Sequence, residues 1–374
     1  MEMLRGVEVK RRVLVAMSGG VDSSVAACLL KGSGYEVVGA TMRIWKEDRE
    51  KNLYGCCGAL HVEDARRVAQ QIGIPFYVLD LEEEFEKEVI QYFCKEYGKG
   101  RTPNPCIVCN EKVKFGAFLG KALGLEADYV STGHYARLEY DDEKGRYLLS
   151  KGRDKKKDQS YVLFSLTQDQ LGHVLFPLGD FQKGEVRKKA LDLGFRIHNK
   201  PESQEVCFID ENSYHPFLRG RLKEFIQPGP MMDRAGNILG THKGIPFYTI
   251  GQRRGLGLAK GIPYYVIGID RKRNSVIVGK KEEVLGDAFH VKSVNWIVPQ
   301  EGSFSATVKI RYTHPGSRAI VTPRGKDEAE VNFKVPQMAI TPGQAAVFYD
   351  GDTVLGGGWI EKVINDQRSM VSGQ

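Results

Sequence analysis

The sequence lacks any apolar run approaching the ~20 residues that a membrane-spanning helix needs, so an integral membrane protein is not expected. Residues 1–12 carry charges but no apolar core and no cleavage signature, so no secretory signal is expected and the protein reads as cytoplasmic. There is no Gly-Lys-Ser/Thr at Walker spacing, and no Gly-x-Gly-x-x-Gly at the first strand–helix junction, which argues against P-loop and dinucleotide sites. A second Cys-x-x-Cys and a His-x3-His are also missing, and a structural zinc site wants four ligands. Internal repeats and low-complexity tails are absent. Cysteine is sparse and odd in number, seven in 374 residues, so in a reducing compartment thiols are expected to be catalytic, metal-binding or buried rather than disulfide-bonded.

What is present is ordinary for a folded chain: 41% hydrophobic and 27% charged residues, with a length that suits two or three domains. The net charge is +7, and basic clusters recur at Lys10-Arg11-Arg12, Arg153 to Lys157, Arg187-Lys188-Lys189, Arg253-Arg254 and Arg271-Lys272-Arg273. A polyanion partner fits that recurrence, although any one cluster alone reads as a solvated loop.

The chain is organised around Met17-Ser18-Gly19-Gly20-Val21-Asp22-Ser23-Ser24. It follows the apolar run Val13 to Ala16, read as a buried strand, and precedes Val25 to Leu30, read as a packed helix. Strand, glycine turn and hydroxyl-rich helix start together make an anion site, because the glycines open the backbone and the first helical N–H groups point outward. The pattern Ser-Gly-Gly-x-Asp-Ser resembles the PP-loop of ATP-pyrophosphatase enzymes. That resemblance implies a pyrophosphate cradle, with Asp22 helping to hold Mg²⁺ as an oxygen ligand.

Strands at 13–17, 35–42, 75–79 and 129–131 alternate with helices at 23–32, 61–73 and 82–97, which predicts a parallel sheet covered on both faces. Ligands in such a sheet sit beyond the carboxyl ends of the strands, where both the glycine loop and Met42 fall. Later helices are expected at 168–175 and 184–193. From about 245 the text turns to short β-rich runs broken by turn residues, expected to form a small sandwich or barrel. Boundaries are placed near 210 and 286.

Thr102-Pro103-Asn104-Pro105-Cys106-Ile107-Val108-Cys109-Asn110 carries two prolines, which disfavour regular structure there. A helix from about Glu111 to Leu123 puts Cys109 near a helix N-terminus with Lys112 and Lys114 close by, which favours thiolate. Cys207 is a third thiol in this constellation. Zinc, a redox pair and sulfur transfer are all open readings of these thiols, and a PP-loop beside them favours the last: ATP activates a carbonyl oxygen and sulfur replaces it. Cys28, Cys57 and Cys94 read as small buried or partly buried residues.

The whole chain resembles the tRNA-specific 2-thiouridylase family (MnmA type) of the PP-loop superfamily. The resemblance rests on Ala16 to Ser23, Gly100 to Pro105 with Cys109-Asn110, Thr132-Gly-His-Tyr135, Lys157 to Tyr161 and Cys207-Phe-Ile209. It continues through Gly251 to Gly257, Arg311-Tyr312 and Thr341 to Gln344. It implies an α/β N-terminal PP-loop domain (1–210, Rossmann-like parallel sheet), a small central domain (211–286) and a C-terminal all-β barrel (287–374) that contacts tRNA. It also implies an enzyme that places sulfur at C2 of the wobble uridine of tRNA, using ATP, Mg²⁺ and a persulfide donor such as a cysteine desulfurase or sulfur-relay protein.

By the same resemblance Ala16, Met17, Ser18, Gly19, Gly20, Val21, Asp22, Ser23, Met42 and Gly133 bind ATP. Cys109 is the nucleophile, and Cys207 carries the persulfide and can form a disulfide with Cys109. Asn104, Pro105, Cys106 and His134 meet the target base. Lys157, Asp158, Gln159, Arg311, Tyr312 and Gln344 contact tRNA. Many members carry Asp where this chain has Cys106, and the substitution leaves three thiols, Cys106, Cys109 and Cys207, that could hold an iron–sulfur cluster delivering sulfide. Two competing readings are another AMP-forming PP-loop ligase acting on a small molecule, and a non-enzymatic RNA-binding module.

Overall fold

A computed structural model describes residues 10–45, 59–201, 206–209, 213–258 and 261–364. Cys56, Cys57 and the expected boundary at 210 lie outside the described residues. The chain divides into two compact units, residues 1–88 with 108–208, and residues 89–107 with 209–374.

The first unit is built on β1 (Arg12–Ala16), α1 (Val21–Gly32), β2 (Glu36–Arg43), α2 (Ala59–Ile72) and β3 (Phe76–Asp80). The chain then passes through α3 (Glu82–Phe85) and a π-helical turn to α4 (Gln91–Gly98), which belongs to the second unit. After α5 (Pro105–Val108), a π-helical stretch over Cys109–Ala117 leads into α6 (Phe118–Gly124) and β4 (Tyr129–Ser131). The hairpin β5 (Ala136–Asp141) and β6 (Arg146–Lys151), α7 (Gln168–Gly172), β7 (Val174–Leu175) and α8 (Lys183–Asp192) complete the unit.

The sheet order is β3-β2-β1-β4-β7, and every pairing is parallel. Val13, Leu14 and Val15 are buried on both sides of β1, which is why that strand reads as an unbroken apolar run. One face packs on α1, α2 and α8 through Val25, Ala26, Val68, Ala69, Val186 and Ala190. Ala65, Val68 and Ala69 recur at helical spacing, so α2 buries a single stripe. Chain order reverses at β1, with β2 on one side and β4 on the other. That places the switch point, the usual ligand crevice, between the ends of β1 and β4.

The second unit holds α4, α9 (His215–Arg221), β8 (Gly229–Met232), β9 (Ile238–His242), β10 (Tyr265–Asp270) and β11 (Ser275–Gly279). Its last strands are β12 (Leu285–Trp296), β13 (Phe304–Lys309), β14 (Ser317–Arg324), β15 (Glu328–Met338), β16 (Ala345–Asp350) and β17 (Thr353–Ile364). A four-stranded sheet runs β10-β11-β8-β9. The last six strands run β12-β15-β14-β13-β16-β17, and β12 pairs with β17 as well, so the sheet closes into a barrel rather than a sandwich. Closure removes the free edges. Alternate residues such as Phe289, Val291, Val308, Val321, Val331 and Phe348 fill its core.

Three local expectations fail. The helix placed at 168–175 stops at Gly172, where two residues, Val174 and Leu175, add to β4 as the edge of the parallel sheet. The hairpin at 136–151 was unanticipated, because its exposed and half-buried positions carry no strong apolar alternation. The prolines at 103 and 105 do not exclude helix: Pro105 is the first helical residue, where it loses no intrahelical bond, and the Asn104 side chain accepts from Ile107 N–H as a cap.

Candidate active site

The glycine loop sits where the topology predicts, between β1 and α1. Gly20 is the helix N-cap and makes no side-chain cap bond, so no side-chain oxygen of the cap occupies the first N–H groups. Ser23 and Ser24 turn their hydroxyls back onto Gly20 carbonyl at 3.3 and 2.8 Å, and Ser18 N–H donates to Ser23 Oγ at 3.2 Å. These bonds hold the loop open rather than filling it. Thr41 hydroxyl donates to Met17 carbonyl at 2.6 Å, tying the loop's start to β2, whose end carries Met42.

Two glycines are required by close approach. Gly19 has φ +68°, and a Cβ there would lie 2.2 Å from His61 carbonyl. At Gly133, just beyond β4, a Cβ would lie 2.7 Å from Ser23 N and 2.8 Å from Asp22 Cβ. Gly133 therefore lets the β4 end close onto the loop.

Asp22 is not an isolated carboxylate. Lys183 Nζ, the first residue of α8, donates to both of its oxygens at 2.8 and 2.7 Å, and Tyr135 hydroxyl donates to Oδ1 at 2.6 Å. The Lys183 side chain is 11% exposed, so this is a largely desolvated pair worth more than a surface ion pair. Tyr135 is fixed in turn by Gln159, whose amide oxygen accepts from Tyr135 N–H at 2.9 Å and whose own N–H donates to Tyr135 carbonyl at 2.9 Å. Lys200 supplies a second cation beside the loop, donating to Gly19 carbonyl at 3.1 Å and to Asp64 at 2.6 Å. His61 donates through Nδ1 to Ser18 carbonyl at 3.2 Å, and burial beside Lys200 pulls its pKa below the usual histidine value. Sequence reading missed Lys183, Lys200, Tyr135 and His61. Lysines far apart in the sequence give no sign of meeting.

Of the expected tRNA residues of this unit, Lys157 and Gln159 are half-buried and Asp158 is committed inside the protein. Asp158 is buried and accepts from Gly152 N–H, Ser160 N–H and Ser160 hydroxyl at 3.0–3.1 Å. His134 is buried, bonded through Nδ1 to Thr132 hydroxyl at 2.7 Å, with Phe115 and Phe176 rings at 6.0 and 6.1 Å. Burial, reinforced by Lys114, pushes its pKa well below the ordinary value, so the ring is neutral near pH 7.

Cys109 is buried at the start of the π-helical stretch, one turn inside a helical run that begins at Pro105. It is therefore not at a helix N-terminus, as the sequence suggested. Lys112 pairs with Glu111 at 2.6 Å, and Lys114 donates to Asn110 Oδ1 at 2.9 Å. Asn110 also donates to Val162 carbonyl at 2.9 Å, anchoring the turn that carries the thiol. Cys207 is exposed. Its neighbour Phe208 is buried between Trp45, just past the end of β2, and Phe85 of α3, with ring centroids 6.3 and 5.7 Å away. The π-helical stretch opened by Cys109 packs on the same α3. Both thiol-bearing segments thus lie against one short helix, and the Cys207 segment lies at the carboxyl edge of the parallel sheet.

In the second unit Cys106 is exposed on α5. Gln344 donates its amide to Thr102 and Pro103 carbonyls at 3.1 and 3.2 Å, and Thr102 N–H donates to Pro342 carbonyl at 3.0 Å. Gln344 therefore steadies the stretch before Asn104. Arg311 donates to Met338 carbonyl at 3.1 Å, and Tyr312 is exposed, with Lys309 Nζ 5.8 Å from its ring.

Among the described residues no three histidine, cysteine or carboxylate side chains meet as a metal-binding group. An iron–sulfur cluster has no assembled donor set there. A nucleotide fits better: an open helix N-terminus, glycines that admit close approach, and two lysines compose an anion site. Among the described residues no helix is long and apolar enough to cross a membrane.

Three families match in succession, described as tRNA methyl transferase HUP domain over residues 11–211, tRNA methyl transferase PRC-barrel domain over 215–280 and aminomethyltransferase beta-barrel domain over 286–360. A tRNA-specific 2-thiouridylase MnmA of Moorella thermoacetica is 52% identical over 354 residues, 94% of this chain and 99% of that protein. The protein of the same name from Symbiobacterium thermophilum is 52% identical over 368 residues, 96% of this chain and 94% of that one. Among solved structures, a 4-thiouridine synthetase–RNA complex with bound ATP aligns with TM-score 0.36 and 18% identity, covering 57% of this chain and 50% of that chain.

Proposed function

The chain belongs to the tRNA-specific 2-thiouridylase family, and we propose that it converts the wobble uridine of tRNA to 2-thiouridine, with ATP as activator and Cys207 as sulfur carrier. The uridine O2 attacks the α-phosphorus of ATP, pyrophosphate leaves into the loop Ser18–Ser23, and C2 now carries an AMP leaving group. The terminal sulfur of a persulfide on Cys207 attacks C2 and AMP departs. The Cys109 thiolate then attacks Cys207 Sγ, frees the sulfur on C2 and forms a Cys109–Cys207 disulfide, which a thiol reductant reopens. The persulfide itself comes from a donor protein of the desulfurase or relay class.

The ion pair at Asp22 gives the first step its control. Lys183 pairs with Asp22 beside the loop. Phosphate oxygens would compete for that ammonium, and the Asp22 carboxylate would then be the oxygen ligand able to hold Mg²⁺, a hard cation that would neutralise phosphate charge. Gly133 and Met42 border the same crevice and suit the nucleoside.

The observation that carries this reading is the Trp45–Phe208–Phe85 cluster, because it brings the chain at Cys207 to the sheet edge where the glycine loop opens. A small-molecule ligase would need no such thiol there. A second delivery route, sulfide on a cluster ligated by Cys106, Cys109 and Cys207, rests only on the presence of the third thiol, Cys106, which is exposed. Iron analysis of anaerobically purified protein separates the routes. Iron-free protein with full activity leaves the persulfide route alone, and activity that tracks iron content replaces it. The function itself is tested by mass spectrometry of nucleosides from tRNA incubated with enzyme, ATP and a sulfur source. 2-Thiouridine is expected, and AMP formation without it overturns the reading.

A further inference from the structure

We infer that Asp154 and Gln159 are positioning residues for the nucleotide site: from one turn of the first unit, residues 152–160, they hold Lys183 and Tyr135, the two partners of Asp22. The inference rests on the ATP reading above and adds the support on which its phosphate-facing groups depend.

Lys183 stands at an unfavourable place. It is the first residue of α8, where a helix carries the positive end of its dipole and N–H groups with no partner inside the helix. A lysine there needs carboxylates close by, and two supply them. Asp22 takes the ammonium at 2.7 and 2.8 Å, and Asp154 Oδ2 accepts the Lys183 main-chain N–H at 3.0 Å. The other Asp154 oxygen accepts from Lys156 N–H at 3.0 Å, so one carboxylate fastens the root of the Lys183 side chain to the turn. Burial raises the Asp154 pKa, but N–H donation from Lys183, Lys156 and Lys157 outweighs it, and the group lies below the usual carboxylate range.

Tyr135 is held from the other end of the same turn. Its hydroxyl donates to Asp22 Oδ1 at 2.6 Å, and Lys183 Nζ lies 5.9 Å from its ring centroid. Gln159 grips its main chain twice at 2.9 Å, once through the side-chain oxygen and once through its own N–H. Gly152 permits the approach, since a Cβ there would lie 2.8 Å from Tyr135 carbonyl. Buried Asp158 ties Gly152 N–H to Ser160 N–H at 3.1 and 3.0 Å, which stiffens the turn between its two grips.

A turn of this kind could serve merely to cap α8. Where its bonds lead argues otherwise. Each support ends on the main chain of a residue whose side chain is already on Asp22, and the two routes converge on one carboxylate. A cap for α8 alone has no use for the Tyr135 branch. Misplacing a charged group by about 1 Å can cost about a hundredfold in rate, so the support of these two side chains bears directly on turnover.

The test is a pair of double-mutant cycles in the full chain, reading AMP release from ATP in the presence of tRNA. Asp154→Ala is expected to lower AMP release about tenfold, but by less than about twofold when made in Lys183→Met, because the group it places is gone. Gln159→Ala is expected to lower it several-fold in the parent and to add nothing to Tyr135→Phe, while Gln159→Glu, which keeps the acceptor oxygen, restores most of the rate. Equal losses in the parent and in the Lys183→Met or Tyr135→Phe backgrounds overturn the inference, since they mark the turn as a support of the fold alone. Unchanged AMP release in both single variants overturns it too. If Asp154→Ala loses its fold, the Gln159 cycle decides. Parent protein that releases no AMP sinks the ATP reading and this support with it, an outcome visible before any variant is made.

Discussion

At Asp22 the structure shows one carboxylate holding an ammonium, and the proposed function gives it a second task, as an oxygen ligand for a cation. On the proposed function, Lys183→Met removes a donor to the leaving pyrophosphate. AMP release is expected to fall by about a hundredfold or more, the scale for losing one charged donor to a developing anion, with tRNA affinity unchanged. Retained AMP release in that variant would move the phosphate site away from α8. Gly133→Ala places a methyl carbon 2.7 Å from Ser23 N. It is expected to weaken ATP binding at least tenfold in a titration, because backbone rather than a flexible side-chain tip must give way. Cys109→Ser and Cys207→Ser are each expected to abolish thiolation while nucleotide binding persists. Near-normal turnover in either refutes the thiol roles.

Residues of this kind were only half legible in the sequence. The glycine loop declared itself because its spacing is dictated by a local strand–turn–helix. Lys183, Lys200 and Tyr135 did not, since they reach the loop from 161, 181 and 113 positions away and nothing local marks them. The side chains of Asp158 and Gln159 satisfy backbone donors, a need that appears only once the surrounding turn is folded.

Among elements, the parallel strands were readable because both faces are buried and the apolar run is continuous. The β5–β6 hairpin and the two-residue β7 were not, because a strand whose sides are half-wet and short leaves almost no period to detect. The segment Arg101–Asn104 shows how an element can be set from afar. Arg101 pairs with Glu96 and Glu361 at 2.7 and 2.6 Å, and Gly343, with φ +92°, leaves room where a Cβ would lie 2.9 Å from Thr102 carbonyl. Gln344→Ala removes two amide bonds from that stretch. Thiolation turnover is expected to drop several-fold while the thermal midpoint falls by only a few degrees, since each lost bond contributes about 1 kcal/mol. A variant with full turnover would mean that the stretch is positioned without Gln344.

For the molecule as a whole, His61, His134, His215, His242 and His314 all have pKa values below the ordinary histidine value, each mainly through burial. The unfolded chain therefore binds more protons than the native one once pH drops below about 6.5, and stability must fall with it. Denaturant melts at pH 7.5 and 5.5 are expected to show a lower midpoint at the acid end. A flat profile across that interval would mean that these rings stay solvated in the native state. The β-rich text after 245 predicted a closed or layered sheet without deciding between them. That choice is made by the β12–β17 pairing, a contact between strands that start 68 residues apart.

The grip of Gln344 and Gly343 on residues 102 and 103 has a practical corollary. A shortened enzyme ending before the barrel would keep every residue of the nucleotide crevice and both sulfurs, yet the leash on the stretch leading to Asn104 would be cut. Such a fragment should still burn ATP in preference to modifying RNA, idling like an engine with its clutch disengaged.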